Sequence, residues 1–256
     1  MKLLIAAPHE VFPGGDFDLT QDAQNFFQQD PGVTCFVSMN PADIAQADGV
    51  VVPGGLPDVH PQYWRGAPLD LCHYDPALDE AQLAMIQRAV ELHRPLFGIC
   101  RGYQLISAYF GAELAQDLIQ KEFHRFDPEH PKFHIAYQLP GTAFYEKLGP
   151  TAVINSLHHQ GLCRLPEDLL PAQLWAPDAD TAARYLQQAQ AGALREVPED
   201  CVIEGVEHRT YPFVGVEWHP EMQGAFFCKD LDLRAVRALF YRHIPGAPKL
   251  GFLLPL

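Results

Sequence analysis

Residues Pro95–Gly111 read PLFGICRGYQLISAYFG. Pro95–Ile99 is a short apolar run of the kind that forms a strand buried on both faces. Tyr103–Phe110 carries apolar residues at helical spacing. Between them lies Gly98-Ile99-Cys100-Arg101-Gly102, the cysteine version of the G-x-S-x-G strand-to-helix elbow. Such a turn lifts its central side chain above the sheet edge, and a glycine on either side lets strand and helix pass without a Cβ clash. The helix that follows points its N-terminus at the sulfur, and its partial positive charge favours thiolate. The backbone N–H of Arg101 is placed to meet a developing oxyanion. Cys100 is therefore the candidate nucleophile. The bland alternative, a buried thiol beside a Gly-rich turn, is the better reading for each of the other five cysteines.

Working outward, the same alternation recurs. Residues 2–7 (KLLIAA), 33–39 (VTCFVSM) and 49–52 (GVVV) predict further buried strands. Residues 20–29, with Thr20 as N-cap, 41–47 and 79–93 predict helices. Residues 8–19 read as a loop. Alternating strands and helices imply an α/β fold, a mostly parallel central sheet with helices on both faces. The second half is less regular: strands are expected at 134–139, 152–154, 201–206 and 213–217, and helices at 179–193 and 231–243. No repeat or Ser/Gly linker divides the chain, so 1–256 is read as one domain.

The chain has 256 residues and a formal net charge of −14. An acidic surface repels phosphate backbones, which argues against nucleic acid as a partner. No apolar run reaches the roughly 18 residues that span a bilayer. The opening Met-Lys-Leu-Leu-Ile-Ala-Ala is too short for a signal peptide and reads as the first strand. The six cysteines show no zinc-type spacing, and a chain this large does not need disulfide staples. Reduced thiols and a cytoplasmic location are the expectation.

A thiol nucleophile needs a base, usually a histidine oriented by a third group. Phe213–Glu221 (FVGVEWHPE) is an apolar strand pattern ending in His219-Pro220-Glu221. In extended chain, residues i and i+2 face the same side, so Glu221 can accept from one His219 nitrogen while the other faces the cysteine. The chain holds 12 histidines, so the pairing gains weight only with the elbow.

Together, G-I-C-R-G-x-Q and the distant W-H-P-E resemble the class I glutamine amidotransferase-like superfamily. Three stretches narrow the likeness to its γ-glutamyl-GABA hydrolase branch. Residues 52–63 (VPGGLPDVHPQY) are similar to its P-G-G-x-D-V-x-P-x-x-Y loop, residues 155–160 (NSLHHQ) to its N-S-x-H-H-Q, and Arg101 follows the nucleophile as is typical there. The resemblance covers roughly residues 49–221. It implies a flavodoxin-like three-layer sandwich and a triad of Cys100, His219 and Glu221. It also implies an oxyanion hole from the N–H groups of Gly55 and Arg101, with Gly54, Gln104 and the Ser156, Leu157, His158 and His159 segment around the substrate. For His158 and His159, substrate binding and scaffold stand as equal readings. A metal is not expected there, because adjacent strand histidines point to opposite faces and no carboxylate lies at ligand spacing.

What the resemblance implies is hydrolysis of a γ-glutamyl amide through a thioester, on a small substrate and without a cofactor. Two rival readings stay open. One is a glutaminase component delivering ammonia to a partner synthetase; the other is a non-catalytic binding protein on the same fold. The first 48 residues match the family poorly, and 178–200 reads as an insertion that could be a lid, a partner surface or a decoration. The apolar tail 244–256 reads as a strap on the body or a docking segment. A homodimer is left open.

Overall fold

A computed structural model describes residues 1–8, 18–64 and 66–250. Its strands are β1 Lys2–Ile5, β2 Thr34–Val37, β3 Gly49–Val52, β4 Leu96–Ile99, β5 Glu113–Ala115, β6 Lys132–Gln138, β7 Thr151–Ser156, β8 Gly161–Arg164, β9 Leu169–Trp175, β10 Val202–His208 and β11 Phe213–Val216. The α-helices are α1 Leu19–Gln28, α2 Pro76–Glu91, α3 Arg101–Tyr109, α4 Ala143–Leu148, α5 Ala179–Gln190 and α6 Leu233–Tyr241. A 9-stranded sheet runs β2-β1-β3-β4-β11-β10-β9-β6-β7, and β5 pairs with β8 apart from it. From β2 to β11 all pairings are parallel. From β11 to β7 they are antiparallel.

The central strands β3, β4 and β11 are buried at every position. Helices therefore cover both faces, as the apolar runs require. On one face Met85, Ile86 and Ala89 of α2, Tyr103 and Ile106 of α3, and Ala182 and Tyr185 of α5 join one core cluster. On the other, Phe26 and Phe27 of α1, Phe144 of α4, and Leu239 and Phe240 of α6 join a second. Phe27 packs edge-on to Phe97 of β4 and Phe240, with ring centroids 5.7 and 5.9 Å apart. A buried bidentate pair, Arg237 to Asp30, holds α6 to the chain just after α1.

Three sequence expectations change. Helix α1 is capped by Asp18, whose carboxylate accepts from the Gln21 N–H at 2.9 Å. Thr20 lies inside the helix, and its hydroxyl donates to the Pro8 carbonyl at 2.7 Å. Helix α2 begins at Pro76 behind the Asp75 cap, three residues before the expected start. Strand β9 escaped notice because Pro171 interrupts its run. That proline is tolerated where the β9–β10 register shifts, between the Gly205↔Gln173 and Val206↔Pro171 pairs.

The loop expected over 8–19 lies mostly outside the described residues, as do tail positions 251–256. The described tail behaves as a strap: Ile244 is buried, and Ala247 and Leu250 pack against the α6 core. In the 178–200 segment, α5 turns Ala182, Tyr185 and Ala189 into the core, and the Tyr185 hydroxyl bonds Asp200.

Candidate active site

The C-terminal ends of β3, β4 and β11 meet at one edge of the sheet, where open α/β folds bind their ligands. Cys100 lies between β4 and α3 with φ 47° and ψ −115°, in a region that side chains other than glycine rarely enter. Its N–H donates to Val216 at 2.8 Å, and its carbonyl accepts from Gln104 at 2.9 Å. The flanking glycines are required by contact. A Cβ on Gly98 would lie 2.6 Å from Tyr103 Cα, and one on Gly102 only 2.0 Å from the Val52 carbonyl oxygen.

The Arg101 side chain runs under the elbow, where its guanidinium pairs with buried Asp79 and Gln82 of α2. Gln82 in turn donates to the Ala6 carbonyl at 2.8 Å. Burial raises the Asp79 carboxyl even with the guanidinium alongside. The elbow is thus tied to α2 and to the end of β1.

His219 is buried, with Nδ1 2.7 Å from Glu221 Oε1. The pairing does not arise from extended chain as expected. Strand β11 ends at Val216, and Trp218–Glu221 bend so that Glu221 curls back to the ring. The Cys100 sulfur also acts on this ring. Burial opposes its charge, but Glu221 and the Cys100 sulfur outweigh that effect and lift His219 to about 10. Asp22 of α1 faces the same carboxylate; burial, Glu221 and Asp18 push it up to about 6. Burial drives the Cys35 and Cys228 thiols up to about 12.

A cavity of about 190 Å³ opens over Cys100. Gly55, Arg101, Gln104, Leu157, His158, His159 and His219 all line it. Apolar surface comes from Leu19, Leu56, Pro57, Phe126 and Met222. Gln104 is anchored by donating to buried Glu217 at 2.6 Å. His158 and His159 both line the cavity but take different partners. His158 Nδ1 bonds the Gln160 carbonyl at 2.8 Å, and His159 Nε2 meets Asp58, another lining residue, at 3.0 Å. His159 is raised, chiefly by its hydrogen bond to Asp58.

Two expected substrate contacts lie elsewhere. Ser156 is fully buried behind the wall, 3.2 Å from His124 Nδ1. Gly54 lies against His219: a Cβ there would be 2.6 Å from His219 Cε1, so its missing side chain makes room for the ring. Glu221 forms no part of the wall and lies behind His219. No residue of the 178–200 segment lines the cavity.

Asn155, in β7, has a role that sequence reasoning missed. Its Oδ1 accepts from the His219 N–H at 2.8 Å, while Nδ2 donates to the carbonyls of His219 and Phe226, both at 2.7 Å. The available signal was a polar residue at the end of an otherwise apolar strand, next to the histidine pair.

The sequence profile of the Peptidase C26 family matches residues 37–221. The chain belongs to the Peptidase C26 family. This family is class I glutamine amidotransferase-like, and its hydrolase character fits a cysteine and histidine sharing one pocket. Among relatives of this Peptidase C26 chain, Protein NtpR of Enterococcus hirae is 29% identical over 228 residues, 83% of this chain and 85% of the relative. Gamma-glutamyl-gamma-aminobutyrate hydrolase PuuD of Escherichia coli is 29% identical over 190 residues, covering 70% of this chain and 65% of PuuD. A glutamine amidotransferase from Thermotoga maritima superposes with a TM-score of 0.59 at 13% identity, covering 96% and 98% of the two chains. A glutamine amido transferase from Methylobacillus flagellatus gives 0.57 at 16%, covering 99% and 98%. These structures share the flavodoxin-like α/β fold. Among the described residues, no helix is long and apolar enough to cross a membrane.

Proposed function

We propose that the chain hydrolyses the γ-amide bond of a small γ-glutamyl amine, with Cys100 as nucleophile, His219 as base and Glu221 as its orienter. One observation carries this reading: the elbow cysteine and a carboxylate-paired histidine meet in a single pocket. Before attack the proton of Cys100 already rests on His219, and the sulfur attacks the γ-carbonyl carbon as thiolate. The backbone N–H groups of Gly55 and Arg101 receive the oxyanion, each donor being worth about 3–4 kcal/mol in comparable sites. The C–N bond breaks as His219 returns the proton to the departing amine, leaving a thioester. Water, deprotonated by His219, then splits the thioester to glutamate and free thiol.

The lining divides in a way that suits such a substrate. Asp58 and His159 offer charge for the amino-acid end, and Leu56, Leu157 and Met222 offer an apolar wall for the amine. The 29% identity to PuuD agrees with a γ-glutamyl amide.

The test is glutamate release by the purified chain from γ-glutamyl-GABA, a γ-glutamyl anilide and glutamine, with Cys100→Ala as control. Release abolished by the substitution is expected; no release from any of the three would overturn the stand-alone hydrolase. One observation favours the synthetase-linked glutaminase as second reading. Phe133 and Ile135 of β6 and Val153 of β7 are exposed on the edge hairpin, with Ile135 paired to Val153. Glutamine hydrolysis that appears only with a second protein would select it.

A further inference from the structure

Behind the pocket wall lies a cluster of buried side chains for which the proposed chemistry has no use. His124 follows the short turn at Lys121–Phe123, His158 lies two residues beyond β7, and Glu204 is in the middle of β10. Each turns one donor atom inward, and these atoms lie within 4.8 Å of one another. All three side chains are at most 2% exposed.

The hydrogen bonds around the cluster fix which way the rings face. A carbonyl oxygen can only accept, so His158 Nδ1, 2.8 Å from the Gln160 carbonyl, carries the proton. His158 Nε2 is thereby turned toward Glu204 Oε2 at 3.8 Å. In a neutral imidazole, a proton on Nδ1 leaves the lone pair on Nε2. A lone pair facing a carboxylate oxygen is repulsive unless a cation lies between them. His158 Nε2 and Glu204 Oε2 are buried without a hydrogen-bond partner. A buried polar group left that way costs about 1–3 kcal/mol, and more when charged.

The spacing suits an ion. Donors about 2.0–2.1 Å from a shared tetrahedral zinc stand about 3.3 Å apart. His124 Nδ1 lies 3.4 Å from Glu204 Oε1, and His158 Nε2 lies 3.8 Å from Glu204 Oε2. Two neutral imidazoles and a carboxylate are a borderline donor set, apt for zinc and its neighbours and too rich in nitrogen for magnesium or calcium.

We propose that His124, His158 and Glu204 bind one divalent transition-metal ion of the zinc class, with His134 in its outer shell. His134 Nε2 lies 3.0 Å from Glu204 Oε1. It is positioned to orient that ligand, as outer-shell groups do at metal sites. The sequence expectation of no metal rested on adjacent histidines pointing to opposite faces and on the lack of a carboxylate at ligand spacing. Glu204 is 46 residues beyond His158 and arrives only through the pairing of β9 with β10. Because His158 also lines the pocket, the ion would brace one wall of the active site from behind.

The experiment uses the untagged full-length chain, stripped with chelator and titrated with zinc chloride. One zinc retained per chain after gel filtration, with a raised Tm, is expected. Glu204→Gln and His124→Asn should lose that zinc, and His134→Gln should weaken its affinity about 10–100-fold. Zinc X-ray absorption of the loaded wild type should show a nitrogen and oxygen shell with imidazole scattering, a result independent of whether any variant folds. No retained zinc, a sulfur shell, or full binding by folded variants would overturn the site.

Discussion

Asn155 grips the backbone of His219 from both sides, accepting from its N–H at 2.8 Å and donating to its carbonyl at 2.7 Å. The imidazole is therefore positioned by its own main chain as well as by Glu221. Asn155→Leu removes all three of its bonds, to the His219 N–H, the His219 carbonyl and the Phe226 carbonyl, and leaves the His219 carbonyl only the 3.5 Å bond from the Met222 N–H. Loss of stability of about 1–3 kcal/mol per group abandoned is expected. Activity should fall about 100-fold or more, because a catalytic group displaced by about 1 Å costs that much. Denaturant unfolding and kcat/KM measured on the folded fraction check the two effects separately. An active variant of unchanged stability would show the grip to be idle.

His219 is lifted to about 10 by Glu221 and the Cys100 sulfur acting against burial, with Asp22 facing the same carboxylate. A raised value means the folded state holds this proton more tightly than the unfolded chain. The stability it supplies is complete below the ordinary histidine value of about 6.5 and is lost as pH rises through about 10. The proton needed by the leaving amine should persist over the same range. The pH profile of kcat/KM should thus keep its plateau past pH 8 and fall on an alkaline limb near 10. Glu221→Gln removes the charge and should move that limb to lower pH. A limb that stays in place in the variant would contradict this account.

Much of the site is legible in the sequence because its constraints are local. The elbow needs two glycines at fixed offsets from Cys100, and Gly98 and Gly102 stand there because no Cβ fits. Buried parallel strands need unbroken apolar runs, so β3 and β4 announce themselves. What stays hidden depends on distant pairing. Pro171 masks β9 until the bulge opposite Gly205 is seen. Glu204 reads as one polar residue in a strand until three histidines close around it. Ser156 sits in a motif that suggests substrate contact, yet strand alternation turns it inward to His124.

The glycines around the pocket separate folding from function. Gly102→Ala would bring a Cβ within 2.0 Å of the Val52 backbone oxygen, and backbone cannot give way cheaply. Destabilisation of about 1–3 kcal/mol or more is expected, read as a fall in Tm of roughly 2–4 °C per kcal/mol. Gly54→Ala instead meets the edge of the His219 ring. Its main effect should be on kcat, with a smaller fall in Tm. Equal effects of the two substitutions on both readouts would reject the distinction.

The Arg101 guanidinium and Asp79 form a pair buried to 3% and 0% side-chain exposure. Removing one partner strands a charge, so Arg101→Met should cost about 3–5 kcal/mol. Adding Asp79→Leu removes the stranded carboxylate and should recover part of the loss. Urea unfolding of both single variants and the double variant gives the coupling. A double variant no more stable than Arg101→Met would mean that the pair is not the link between elbow and α2.

Cys100 holds a left-handed backbone conformation without being glycine. Strain of this kind costs about 1–3 kcal/mol and persists only where the surroundings enforce it. Cys100→Gly would relax it, whereas Cys100→Ala would keep it. The proposed nucleophile thus stands where the backbone alone would be better served by glycine, so thermal robustness and the proposed turnover make opposite demands on position 100.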